Sequence, residues 1–233
     1  MPEEISKTEL LRESTQRLVR TVDSLPDEAF AAPSGLPAWN RAQVVAHLTL
    51  NAEGLAGALT GLVQGEPTPM YRSQEARDED IDKLAAAELP ELRARLLAAT
   101  TEFGDAMAAV PEGAWGTEIE RVPGGSTFRA GAVPGMRLRE VEIHHADLDA
   151  GYTRADWSLE FATLLLDSMA KRGAWSEPFR VRPTDVAGTW EFGEGGPTVT
   201  GTAADAGWWL TGRGTGEGLT SDSGGDLPGI GAW

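Results

Sequence analysis

Four stretches of apolar residues at helical spacing, all before Gly151, constrain this chain more than any other feature. Four amphipathic helices must bury four stripes against one another, and the economical solution is a bundle. The first lies within residues 6 to 25 and carries Leu10, Leu11, Leu18, Val19 and Val22. Asn40 is a good N-cap for the second, which runs from Arg41 toward Leu62 with Val44, Val45, Leu48, Leu55 and Leu59 inward. The third pattern spans about Glu75 to Val110, with Leu92, Leu96, Phe103 and Met107 on its buried side and a break or kink expected at Pro90. The fourth covers roughly Ala132 to Ala150, with Gly151 expected at C′. The stretches PSGLPAWN (33 to 40) and QGEPTPMYRS (64 to 73) read as loops, and 111 to 127 as irregular.

After Gly151 the texture changes. A helix is expected over 157 to 173, and short alternating strands over 179 to 185, 188 to 195 and 197 to 201. Thr202 and Asp205 have capping-box spacing ahead of AADAGWWLT, with a stop at Gly212. The Gly/Ser/Asp-rich tail, 214 to 233, reads as extended coil. The expected division is a bundle over 1–152 and a small α+β domain over 153–233. There is no internal repeat.

Composition excludes several functions. No apolar run approaches the ~18 residues of a membrane span, and the acidic, polar start MPEEISKTEL is not a signal peptide. The net charge of −16 repels nucleic acid and anionic membrane. With no cysteine there is no disulfide, no thiolate metal site and no cysteine nucleophile, so any thiol chemistry needs a thiol brought in. A cytoplasmic, monomeric protein that handles small molecules is the expectation.

The chain has three histidines. His144 and His145 share RLREVEIHHADLDAG (137 to 151) with several carboxylates, and His47 lies in the second helix. Glu140 and His144 are i, i+4, about 40° apart around a helix. They can hold one ion from one face, with His47 as a third ligand across the bundle. Two imidazoles and one carboxylate leave a position open on zinc, the catalytic rather than structural pattern, though nickel, cobalt or iron would suit the same donors. Glu142 and His145, at i, i+3, form a rival pair. Leu138, Val141 and Leu148 flank that pair and give its face the look of core packing, while periodicity alone does not decide. Asp147, one turn beyond His144, is placed to orient an imidazole N–H.

LPAWNRAQVVAHL (36 to 48) and LREVEIHHADLDAG (138 to 151) resemble the conserved segments of DinB-like metal-binding bundle proteins. GEPTPMYRSQEARDEDI (65 to 81) and GRGTGEGLTSDSG (212 to 224) resemble more specifically the mycothiol-dependent maleylpyruvate isomerase family. The resemblance covers most of the chain and implies an N-terminal DinB-like four-helix bundle with a sterol-carrier-protein-like α+β domain. It implies zinc ligands at His47, Glu140 and His144, against Glu142 and His145, and a catalytic arginine at Arg213. Trp39 matches the family tryptophan, while Ala38 replaces the glycine before it, a small change.

The implied activity is cis–trans isomerisation of maleylpyruvate to fumarylpyruvate by reversible addition of mycothiol thiolate at zinc or another divalent metal. Asn51, one turn after His47, is a candidate to face the same cavity. Tyr71, Arg72 and Arg77 are candidate contacts to a carboxylate or to the sugar of the thiol. Arg139 is expected in a surface salt bridge, and Trp208 and Trp209 in packing. A mycothiol S-transferase, or a non-catalytic metal-binding protein, would share the same site.

Overall fold

The computed structural model describes residues 6–173 and 175–231. Residues 1–5, 174, 232 and 233, which include the ends of both expected domains and of the expected tail, lie outside the described residues. The chain divides into two compact units, Met1–Gly151 and Tyr152–Trp233. No helix among the described residues is long and apolar enough to cross a membrane.

In the first unit α1 (Lys7–Ser24) packs against α5 (Val133–Asp147), and α2 (Arg41–Gln64) packs chiefly on α4 (Leu89–Ala109) and on the shorter α3 (Gln74–Ala85). The starts follow local chemistry. The Ser6 and Ser73 hydroxyls accept from the Glu9 and Ala76 amides, and Asn40 and Gln43 form a reciprocal capping box. Pro90 and Pro134 sit in first turns, where a missing N–H costs nothing. The third pattern is therefore two helices: of the break or kink expected at Pro90 the structure shows the break, with Pro90 in the first turn of the second helix. Leu18, Val44, Val45, Leu48, Leu59 and Leu92 are wholly buried, each stabilising the fold by roughly 1.5–3 kcal/mol. Ala106 is buried in place of the expected Met107, which lines an open groove between α1 and α4.

Two more expectations change. The segment 111 to 127 is not wholly irregular: β1 (Glu118–Glu120) pairs antiparallel with β2 (Thr127–Arg129). This hairpin accepts hydrogen bonds from the Met70 and Tyr71 amides at 2.9 Å, pinning the loop after α2. A side chain at Gly54 would come within 2.7 Å of the Met70 carbonyl, so the close approach of that loop to α2 requires glycine. Secondly, α5 stops at Asp147, short of Gly151. Its terminal carbonyls are taken by groups distant in sequence: the Gly35 amide donates to Asp147 O at 2.7 Å, and Arg41 Nε to Leu148 O at 2.6 Å. Asp149 then turns the chain with φ 50°. Ala38 also holds a left-handed φ of 64°, so replacing glycine there costs about 1 kcal/mol of backbone strain.

The second unit is α+β, as expected. α6 (Leu159–Arg172) and α7 (Ala203–Leu210) pack together, with α7 also against the sheet strands β3 (Phe179–Pro183) and β5 (Thr198–Gly201). The sheet order is β4-β3-β5-β6, with β4 (Trp190–Phe192) antiparallel to β3 and β5 parallel to it. β6 (Thr220–Ser221) pairs antiparallel with β5, so the glycine-rich tail is partly strand rather than all coil. The core is aromatic: Phe179 stacks on Phe192 with centroids 4.6 Å apart, and Trp209 meets Phe179 at 5.3 Å. Thr202 caps α7 by accepting from the Asp205 amide, but Asp205 returns only a side-chain bond to the Thr202 hydroxyl, half of the expected box.

Candidate metal centre

α2 and α5 bring His47, Glu140 and His144 together, each offering a ligand atom within 4.8 Å of the others. His47 Nε2 lies 2.9 Å and His144 Nε2 3.3 Å from the same oxygen, Glu140 Oε2. The two imidazoles are 4.7 Å apart and nearly perpendicular. Trp39 lies against His47 with centroids 5.7 Å apart, closing one side. Both histidines are buried, and Glu140 is half-buried.

The ring nitrogens not aimed at Glu140 are engaged too. Asp147 has no exposed surface, and its Oδ2 lies 2.8 Å from His144 Nδ1. It therefore accepts the Nδ1 proton and leaves the Nε2 lone pair available as a ligand, the usual arrangement behind a metal-binding histidine. Arg77 Nη2 lies 3.0 Å from His47 Nδ1 and can only donate, and its Nη1 pairs with Asp78 at 2.7 Å.

Burial pushes the His47 imidazole down to about 4, with Glu140 opposing. His47 is therefore neutral at neutral pH. With Nδ1 accepting from Arg77, its one proton sits on Nε2 toward Glu140, so an ion binding at Nε2 takes that proton's place and Arg77 gives up Nδ1. Burial would also raise the Glu140 carboxyl and lower His144. For Glu140, hydrogen bonds from His144 and His47 outweigh burial and hold it well below the ordinary carboxylate range. For His144, Asp147 and Glu140 outweigh burial and raise it above 6.5. An ion binding here must displace that proton. Metal affinity is therefore expected to fall as pH drops through the raised His144 value. In Asp147→Asn we expect the fall to move to lower pH and the affinity at pH 7.5 to drop by roughly 10–100-fold, the usual cost of losing such a partner. Chelator competition across pH measures both, and an unchanged pH profile would refute the role of Asp147.

The rival pair does something else. Ser14 and Arg17 of α1 bind Glu142 Oε1, the latter at 2.9 Å, and His145 Nε2 lies 2.8 Å from Thr21 Oγ1. Glu142 and His145 thus form the polar seam between α5 and α1. Arg139 makes no ion pair among the described residues and is half-buried, so the expected surface salt bridge is absent. Burial lowers its guanidinium from the ordinary value.

Of the other candidates, Asn51 is 4 % exposed and Tyr71 half-buried. The Arg77 guanidinium lies 5.7 Å over the Tyr71 ring, and burial raises the Tyr71 phenol, with the Glu140 charge adding and Arg77 and Asn51 opposing. Arg72 is apart: its side chain is 77 % exposed and pairs with Asp80 at 3.0 Å. A cavity of about 240 Å³ has Tyr71, Arg72, Arg77 and Asp80 in its wall. Arg213, in the second unit, donates from Nη1 to Thr211 O at 3.1 Å, with its guanidinium 5.6 Å over the Trp208 ring. Sequence reasoning missed Arg137, a wholly buried arginine on α5. The signal was there, since 137, 140 and 144 share one helix face.

Residues 11–149 match the family described as the mycothiol maleylpyruvate isomerase N-terminal domain. Among solved structures, a crystal structure of the mycothiol-dependent maleylpyruvate isomerase is 28% identical, with a TM-score of 0.87 over 97% of this chain and 95% of that one. A histidine-to-alanine mutant of the mycothiol-dependent maleylpyruvate isomerase is 27% identical, with the same TM-score and coverage. No curated protein sequence matches the chain.

Proposed function

The chain belongs to the mycothiol maleylpyruvate isomerase family, and from that premise we propose that it converts maleylpyruvate to fumarylpyruvate with mycothiol as cosubstrate. The observation that carries this reading is the His47–Glu140–His144 trio: two nitrogen donors and one oxygen donor converging from two helices, with a partner already fixing the His144 tautomer. Those donors fit zinc or a similar divalent ion and leave a position open. A bound ion would supply the positive charge that keeps a thiol sulfur ionised near neutral pH.

Rotation about a carbon–carbon double bond requires the π bond to open. A thiolate adds to one alkene carbon, forming a C–S bond while the π electrons move onto the conjugated carbonyl oxygen as an enolate. The carbon–carbon bond is now single and rotates. The electrons return, the double bond re-forms trans, and the thiolate leaves. Nothing is oxidised and no atom is consumed. The chain has no cysteine, so the sulfur comes from the cosubstrate.

Each remaining residue has a proposed part. Asp147 holds the His144 ring. Arg77 and Tyr71 offer donors to an anionic substrate, a local positive site in a chain of net charge −16. Asn51 supports Tyr71. Arg72, exposed in the wall of the small cavity, suits the sugar of the thiol rather than the reacting carbons. Arg213 is assigned by its sequence motif to the enolate oxygen, where a fixed cation stabilises developing charge. The partners are small molecules, one chain supplies the whole trio, and a thiol cosubstrate suits a cytoplasmic setting.

The test is ultraviolet absorbance of maleylpyruvate with purified protein, with and without mycothiol. Isomerisation only with the thiol present supports the proposal. A thiol conjugate that accumulates instead would make the protein an S-transferase, and no reaction in either condition would remove this substrate.

A further inference from the structure

The ligands come from two helices that are not each other's main partner. α2 packs chiefly on α4, and α5 on α1. The spacing of His47 from Glu140 and His144 therefore depends on the few groups that bridge α2 and α5. Arg137 is one of these, 1 % exposed, on α5 one turn before Glu140. Its Nη1 donates to Leu48 O and to Asn51 Oδ1, both at 2.8 Å. Leu48 follows His47 directly and Asn51 is one turn beyond it, so both bonds grip α2 at its ligand.

A buried guanidinium is an expensive way to fill space. No carboxylate pairs with Arg137 directly, and its Nη2 has no partner among the described residues. Burial lowers it to about 10, which still leaves it charged at neutral pH. A methionine or leucine would pack the same volume without the desolvation cost. Neither could make two hydrogen bonds across the helix pair.

We propose that Arg137 is a positioning residue for the metal centre, acting through Leu48 O and Asn51 to hold His47 at ligand distance from Glu140 and His144. This rests on the trio being a metal site. It also gives Asn51 a structural task, because its amide oxygen is committed to Arg137.

The experiment compares wild-type protein with Arg137→Met and Asn51→Ala. Zinc affinity is read by chelator competition, and ligand geometry by the visible absorption of the cobalt(II)-substituted protein. Arg137→Met is expected to weaken zinc by roughly 10–100-fold, as loss of outer partners does, and to shift the cobalt bands. Asn51→Ala keeps the cation and removes one bond, so a smaller loss of the same sign and a shifted spectrum are expected even where Arg137→Met fails to fold. Arg137→Lys should recover part of the affinity. Wild-type affinity and an unchanged cobalt spectrum in Asn51→Ala, or in a folded Arg137→Met, would overturn the proposal and leave the metal reading intact. A wild-type protein that binds no divalent ion would overturn both.

Discussion

In His47→Ala, thiol-dependent isomerisation of maleylpyruvate is expected to fall by at least about 100-fold, with loss of stoichiometric metal. The magnitude should exceed the roughly 10–100-fold cost of disturbing an outer partner, because a direct ligand goes. His47 is the sole donor from α2 in the trio, so its removal leaves Glu140 and His144 on one helix face. Two donors from one helix do not make a three-ligand open site. The fold should survive: His47 is 4 % exposed but lies among α2 residues buried independently of it, such as Val44, Val45 and Leu48. Metal analysis, circular dichroism melting and the absorbance assay should be run on one preparation. A variant that melts as wild type, lacks metal and is inactive supports the centre. A variant that keeps full activity without metal would end the metal reading.

Much of this was legible in sequence because helix periodicity and capping are local signals. The stripe over 6 to 25, the Asn40 cap and the Glu140–His144 spacing need no knowledge of the rest of the chain. The misses are non-local. Gly151 has the right chemistry for a helix end, but α5 stops at Asp147 because Gly35 and Arg41 take its carbonyls. The hairpin at Glu118–Glu120 and Thr127–Arg129 alternates for only three residues a strand, too few to register as a strand pattern, and it exists by pairing with itself and with the loop at Met70 and Tyr71.

The candidate site divides the same way. Spacing found the trio and its rival, and periodicity alone could not choose between them. The discriminating fact is which helix each face meets: α1 offers Ser14, Arg17 and Thr21 to Glu142 and His145, whereas α2 offers His47 to Glu140. Arg137 escaped because an arginine in a charged helical stretch reads as solvated, and the face it shares with Glu140 and His144 was not followed back that one turn. Arg72 and Arg77 looked alike in sequence, five residues apart. Only the fold separates an exposed ion pair with Asp80 from a guanidinium against His47.

Arg213→Ala is the second large effect expected. If its guanidinium meets the enolate oxygen, kcat should fall by roughly 10²–10³-fold, the usual consequence of removing one such donor, while metal content stays at the wild-type level. The local frame suits a presented cation. Gly212 and Gly214 both hold left-handed φ values, 75° and 67°, so the arginine stands on a sharp turn just past α7. Trp208 lies under the guanidinium and Thr211 O accepts from it, which limits its freedom before substrate arrives. Arg213→Lys keeps the charge but not the planar fork, and should fall between wild type and alanine. An effect confined to KM would make Arg213 a binding group rather than a stabiliser of developing charge, because only interactions that strengthen in the transition state raise kcat. Unchanged kcat and KM in Arg213→Ala would remove it from the reaction and leave the enolate to groups near the trio, with Arg77 and Tyr71 the next to test.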